Sequence, residues 1–188
     1  MNQVQHKLEK VTILFAGDSG DGIQLTGTQF TTNTALFGND LSTFPDFPAE
    51  IRAPLGTVAG VSGFQINFGA VDVYTPGDLC DVLVVMNVAA LKKNLSRLKE
   101  RGTIIVNSSG FDKRNLRLAG VEEGQNPLLN NSLDDFKLHE FDITKLTRES
   151  LKDSPLGTKD RDRCKNMFVL GFVYWMYNRN IDSSIDFL

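Results

Sequence analysis

The sequence predicts an α/β fold with a mostly parallel central sheet covered by helices on both faces, and three features carry that expectation. A short apolar run at 11–16 ends in a glycine-rich turn at 17–22, after which apolar and small residues recur at helical spacing. Residues 81–86, 88–100 and 103–106 read as strand, amphipathic helix and strand, one β-α-β unit. The two strands of that unit are almost continuously apolar, as expected of a parallel sheet buried on both faces and joined by right-handed crossovers.

Taken in order, the run at 11–16 forms the first strand. Ile23, Gly27, Phe30, Thr34 and Phe37, spaced by three and four, line one face of the first helix. Gly38-Asn39-Asp40 supplies the residues that stop it, and a second strand begins over 41–44. Pro45, Pro48 and Pro54 make the next stretch extended and rigid, because each ring fixes φ and biases the preceding residue away from helix. Alternation of Phe64, Ile66 and Phe68 predicts a strand with one buried face, with Gly60 and Gly63 marking a bulge or a close backbone approach. Leu91, Leu95 and Leu98 give the helix of the β-α-β unit its apolar stripe. Periodicity fades over 108–136, where an irregular excursion or short lid is expected. A strand resumes at 137–143, a short helix follows at 144–151, and a last helix over 163–179 is apolar on nearly every side between Met167 and Tyr177, so deep burial or an interface is predicted for it.

Length and composition narrow the function. The chain of 188 residues suits one domain, here a polar leader at 1–10 and a single unit at 11–188, and it is large enough to bury a core without a disulfide or metal staple. Twenty Lys and Arg against 23 Asp and Glu give a net charge of −3 without a basic run, which argues against nucleic acid as a partner. Two cysteines, Cys80 and Cys164, have no cysteine or histidine at ligand spacing, so no zinc or iron–sulfur site is expected in this chain. The leader lacks an apolar stretch and no segment reaches the roughly 18 apolar residues of a membrane span, so a cytoplasmic protein without membrane contact is expected.

The turn Gly17-Asp18-Ser19-Gly20-Asp21-Gly22 admits several readings. A strand–glycine loop–helix is a natural anion cradle, because unpaired N–H groups converge at the positive end of the helix dipole. The turn fits the G-x-G-x-x-G dinucleotide pattern except that Ser19 replaces the second glycine, while Asp18 and Asp21 place negative charge where a phosphate would lie. The acidic residue expected to hold a ribose would be Asp46, between two prolines. A stand-alone nucleotide-binding module is therefore one alternative. A hydrolase with Ser19 as nucleophile is another: the turn resembles the G-x-S-x-G elbow with its last glycine displaced to Gly22, His139 is the available base, and His6 lies in the polar leader. A purely structural turn is the third, with Gly17 making the bend and Gly22 allowing close packing of the helix.

A second cluster is Phe44-Pro45-Asp46-Phe47-Pro48-Ala49-Glu50-Ile51-Arg52-Ala53-Pro54. In an extended chain Glu50 and Arg52 point to the same side, either paired with each other or presented to a carboxylate or phosphate. Phe44 and Phe47 read as core or interface anchors. Paired acids, a metal cluster and a convincing triad are all missing from the sequence, so no catalytic residue is assigned.

Together, GDSGDGIQLTGTQF, FPDFPAEIRAPLGTVAGVSGFQINFG, DVLVVMN, and Asn166-Met167 with Leu170-Gly171 resemble the gamma domain of 2-oxoacid:ferredoxin oxidoreductases, and more narrowly the N-terminal part of the fused alpha subunit of the 2-oxoglutarate branch. The resemblance implies a Rossmann-like three-layer fold and a role in CoA-dependent oxidative decarboxylation of a 2-oxoacid to an acyl-CoA and carbon dioxide, with reduction of ferredoxin. It implies that thiamine diphosphate, magnesium and iron–sulfur clusters act in the complete complex rather than on this chain alone, with coenzyme A as co-substrate. The implied partners are the remainder of the alpha subunit, a thiamine-binding beta subunit and ferredoxin, this chain being a fragment of the longer subunit and inactive in isolation. By the same resemblance Gly17, Ser19, Gly20, Gly22, Glu50 and Arg52 are placed near the coenzyme A path. Many gamma domains carry Gly-Gly in the first loop where Ser19-Gly20 stands here.

Overall fold

A computed structural model describes residues 8–50 and 53–187. Most of the predicted leader, with His6, and the candidate Arg52 lie outside the described residues.

One six-stranded sheet runs through the domain in the order β2-β3-β1-β4-β5-β6. The strands are β1 (Lys10–Asp18), β2 (Asp40–Asp46), β3 (Val61–Gly69), β4 (Cys80–Val85), β5 (Leu98–Asn107) and β6 (Lys137–Phe141). β1, β4, β5 and β6 are parallel, whereas β3 lies between β2 and β1 and is antiparallel to both. Five strands thus share one direction, as expected of a mostly parallel sheet. The reversed β3 departs from the simple crossover reading, because the short segment after β2 returns the chain along its neighbour as a hairpin rather than across a helix.

The three layers follow from alternation along β1. Ile13 and Phe15 face one side, with Phe30 of α1 (Ile23–Leu36) and Val173 and Tyr174 of α6 (Lys165–Met176). Leu14 and Ala16 face the other, with Leu91 of α2 (Val88–Asn94), Leu83 and Ile104. Shorter helices complete the chain: α3 (Lys113–Leu118), α4 (Ile143–Ser150), α5 (Thr158–Arg163) and α7 (Asp182–Phe187). Among the described residues no helix is long and apolar enough to cross a membrane.

Several elements differ from expectation for identifiable reasons. The predicted α1 face holds as far as Thr34, but Phe37 falls beyond the helix, 47% exposed, under the guanidinium of Arg179. The helix predicted over 88–100 ends at Asn94, whose side chain donates to the Ala90 carbonyl, and a tight 3-10 turn at Leu95–Arg97 leads into β5. Leu98 mimics the helical stripe because it packs back over Gly102, across a register shift between Cys80↔Leu98 and Val82↔Thr103. β3 is buried along its whole length rather than on one face. Its polar side is covered by residues 70–79, to whose Pro76 and Thr75 carbonyls Gln65 and Asn67 donate. The helix predicted over 163–179 is α6, preceded by the separate short α5 that ends at Arg163, and its Trp175 is 65% exposed rather than buried.

Candidate functional site

In a sheet of this kind loops gather outside the carboxyl ends of the parallel strands, where the chain leaves in opposite directions to cover opposite faces. That point lies between β1, which leads into α1 on one face, and β4, which leads into α2 on the other; the Met86 N–H donates to the Ala16 carbonyl across it, at 3.0 Å. Asn87 caps α2 by accepting from the Ala90 N–H at 2.9 Å. At the end of β5, Asn107 donates to the Met86 carbonyl and accepts from Ser109, whose hydroxyl also meets that of Thr144 at 2.6 Å. Gly110 has room for no side chain, since a Cβ would strike the Met86 carbonyl. The ends of β4 and β5 are therefore locked together beside the glycine turn.

The turn itself is a junction. Gly17 is buried at the end of β1, and a Cβ there would lie 2.9 Å from Asp21 Oδ2. That same oxygen accepts from the Asp18 N–H at 2.9 Å, and the other oxygen of Asp21 pairs with Lys165 at 3.4 Å. Gly22 adopts φ +71° and abuts Asn166, the second residue of α6. Asp18 accepts through Oδ2 from the Gly56 N–H at 3.0 Å. The glycine turn, the 53–57 segment and the start of α6, three pieces far apart in sequence, meet here.

Burial pushes the Asp18 carboxyl above its ordinary value, against the Gly56 hydrogen bond; Asp21 adds to the rise, while Asn87 and Lys165 oppose it. Asn87 stands near without making a hydrogen bond to Oδ1, which is buried and unpartnered. Ser19 and Gly20 are exposed at the rim, and a Cβ at Gly20 would meet nothing within 4 Å. Glu50 is exposed, its N–H donating to the Ala59 carbonyl. The structure thus brings the glycine turn to the Glu50-bearing segment, through Gly56 and Asp18, which the spacing of neither motif reveals. Only the charge of Asp18 and Asp21, two acids in a glycine-rich turn otherwise suited to anions, hinted that the carboxylates have work within the protein.

The alternatives fare differently. Asp46, the candidate ribose acid, ends β2, which β3 separates from β1; two strand spacings put it roughly 10 Å to the side of the turn's strand. Its carboxylate pairs with Lys93 at 3.2 Å and with Arg97 at 3.7 Å. His139 lies on β6, three strand spacings or about 14 Å from β1, the strand that leads into Ser19, so it is no base for that hydroxyl. Phe44 and Phe47, expected as core or interface anchors, are 51% and 66% exposed. Among the described residues no three His, Cys, Asp or Glu side chains converge as a metal site, and Cys80 lies within the sheet, its thiol pushed up to about 12 by burial. Among the described residues no donor set fits magnesium or an iron–sulfur cluster.

Fold and edge define an α/β domain whose loops are tied together at the carboxyl ends of the sheet. Residues 12–185 match the family Pyruvate ferredoxin/flavodoxin oxidoreductase, and the chain belongs to it. It is 50% identical over 184 residues to the 2-oxoglutarate oxidoreductase subunit KorA of Mycobacterium tuberculosis, a match that covers 98% of this chain and 28% of that relative. The fold resembles that of the 2-oxoglutarate:ferredoxin oxidoreductase from Magnetococcus marinus, with a TM-score of 0.64 at 22% identity over 89% of this chain and 24% of the other. It also resembles the keto/oxoacid ferredoxin oxidoreductase gamma subunit from Geobacter sulfurreducens, with a TM-score of 0.57 at 19% identity over 87% and 75% of the two chains. The family resemblance read from the motifs is thereby borne out.

Proposed function

We propose that the chain is the gamma-type domain of a 2-oxoglutarate:ferredoxin oxidoreductase, residues 11–188 forming one unit within a longer fused subunit. The observation that carries this reading is the 50% identity, over nearly the whole chain, to a subunit named for 2-oxoglutarate oxidation. The assembled enzyme oxidatively decarboxylates the 2-oxoacid with coenzyme A, giving acyl-CoA, carbon dioxide and reduced ferredoxin. Thiamine diphosphate with magnesium, and iron–sulfur clusters, belong to the remainder of the subunit and to a thiamine-binding beta subunit, where they supply the carbon and electron chemistry. The complex works in the cytoplasm.

Within it this chain shapes and borders the path of coenzyme A. Gly17 and Gly22 set the turn, the exposed Ser19 and Gly20 form its rim, and Glu50 belongs to the segment beside it; Arg52 is assigned to the same path by the family resemblance alone. The Magnetococcus marinus enzyme, which contains a chain of this fold, was solved with 2-oxoglutarate, coenzyme A and succinyl-CoA bound. The test is viologen reduction by the complete subunit assembled with its thiamine-binding partner. Turnover that requires both 2-oxoglutarate and coenzyme A is expected; turnover with NAD and no 2-oxoacid overturns the reading.

A further inference from the structure

The described residues of the 47–60 connection between β2 and β3 are tied at identifiable points. Its neck is closed by the Glu50 N–H donating to the Ala59 carbonyl, and its turn by the Thr57 N–H and hydroxyl donating to the Pro54 carbonyl. These bonds fix the loop's shape, and Val58 packs its end against the core on the α2 side. The 53–57 part is placed by Gly56, which is buried, adopts φ +83° and fits so closely against α3 that a Cβ would lie 3.2 Å from both Asn115 Oδ1 and Leu118 Cδ1. Its N–H reaches the carboxylate at the end of β1. Asp18 is itself held rigidly, since its own N–H is taken by Asp21, which Lys165 pairs in turn. A carboxylate is a costly acceptor in so buried a place, with one oxygen unpartnered and a second acid close by. A rigid strand end that holds this acceptor toward one loop amide is a device for fixing that loop.

We propose that Asp18 is a positioning residue: its Oδ2, by accepting the Gly56 N–H, holds the 53–57 segment against the carboxyl edge of the sheet and so sets the width of the coenzyme A path. The width claim rests on the functional reading above, whereas the anchoring claim rests on the geometry alone. Pro54 makes the hold effective, because its fixed φ limits how far the segment can flex between the anchor and the neck.

The test compares Asp18→Ala with Asp18→Asn in the complete subunit assembled with its thiamine-binding partner. Asparagine keeps an oxygen acceptor for Gly56 and alanine does not. Asp18→Ala is expected to raise the KM for coenzyme A about tenfold, the loss of roughly one hydrogen bond, with the KM for 2-oxoglutarate within about twofold. Asp18→Asn is expected to restore the coenzyme A value, and hydrogen exchange at the Gly56 amide is expected to speed up in the alanine variant alone. A general loss of stability would not split the two KM values in this way. An unchanged KM for coenzyme A in the alanine variant, or asparagine behaving as alanine does, overturns the proposal. Should the alanine variant fail to assemble, the native protein decides: a Gly56 amide exchanging at the free-peptide rate overturns it, and one slowed by about tenfold or more supports it. Absence of coenzyme A-dependent turnover in the unmutated complex defeats the functional reading instead, and Gly56 exchange still decides the anchor.

Discussion

Replacing Gly22 by alanine tests the junction at its tightest point. A Cβ at this position would lie 2.5 Å from Asn166 Nδ2 and 2.9 Å from its Cγ, and the backbone there has φ +71°. The left-handed conformation costs a residue with a Cβ about 1–2 kcal/mol. The clash adds about 1–3 kcal/mol, because Asn166 is only 6% exposed at the start of α6 and cannot swing into solvent. Gly22→Ala should therefore destabilise the chain by about 3 kcal/mol and lower its Tm by about 6–12 °C. In an Asn166→Ala background the offending amide is gone and only the conformational cost remains, with a Cβ at 3.2 Å still in place. Urea unfolding of the four proteins of this double-mutant cycle should show Gly22→Ala costing about 1–3 kcal/mol less in the second background. An equal cost in both backgrounds would mean that α6 does not press on the glycine turn, and the account of the junction would fall.

Three further outcomes follow from the same packing. Tyr174→Phe removes a buried hydroxyl that donates to the Gln29 carbonyl at 3.1 Å and meets Ser184 at 2.8 Å; a loss of about 1–2 kcal/mol in urea unfolding, with faster hydrogen exchange in α7, is expected. Cys80, with its thiol pushed up to about 12, should resist iodoacetamide in the native protein at mildly alkaline pH while the half-buried Cys164 is alkylated, and both should react in urea. The bidentate Arg148–Asp162 pair holds the Asp162 carboxyl below its ordinary value, so its stabilisation is present above the ordinary carboxylate range and lost as pH falls through the lowered one. The stability gap between the wild type and Asp162→Asn should accordingly close between about pH 5 and about pH 2, and a gap that persists in acid would refute the pairing.

Periodicity carried most of the fold to the page. β1, α1, β4 and the parallel β5 were legible because burial on both faces of a strand, or one face of a helix, leaves a repeat in the sequence itself. The reversal of β3 was not, since Phe64, Ile66 and Phe68 alternate in the same way whichever direction the strand runs. Nor did alternation reveal that Gln65 and Asn67 are buried too, because their cover comes from carbonyl groups of residues 70–79, and any residue type can supply a carbonyl. Leu98 misled for a related reason: a leucine folded back over Gly102 sits where the next helical turn would have put it. At the site, the turn glycines were visible and their partners were not. The Asp18–Gly56 bond spans 38 positions and the Lys165–Asp21 pair 144, and no local pattern encodes contacts of that range.

Those long-range contacts also explain why a turn so close to a dinucleotide fingerprint need not serve as one. A phosphate cradle requires N–H groups that stay unpaired until the anion arrives, and side chains that leave its place open. Here Asp21 already accepts the Asp18 N–H, Asp18 accepts from a different loop, and both bring negative charge to the mouth of the helix. Any anion approaching the first turn of α1 meets two carboxylates, with Lys165 engaged by one of them. The remaining open rim, at Ser19 and Gly20, faces outward rather than into the domain. Among the described residues, a ligand bound there would be gripped from one side only.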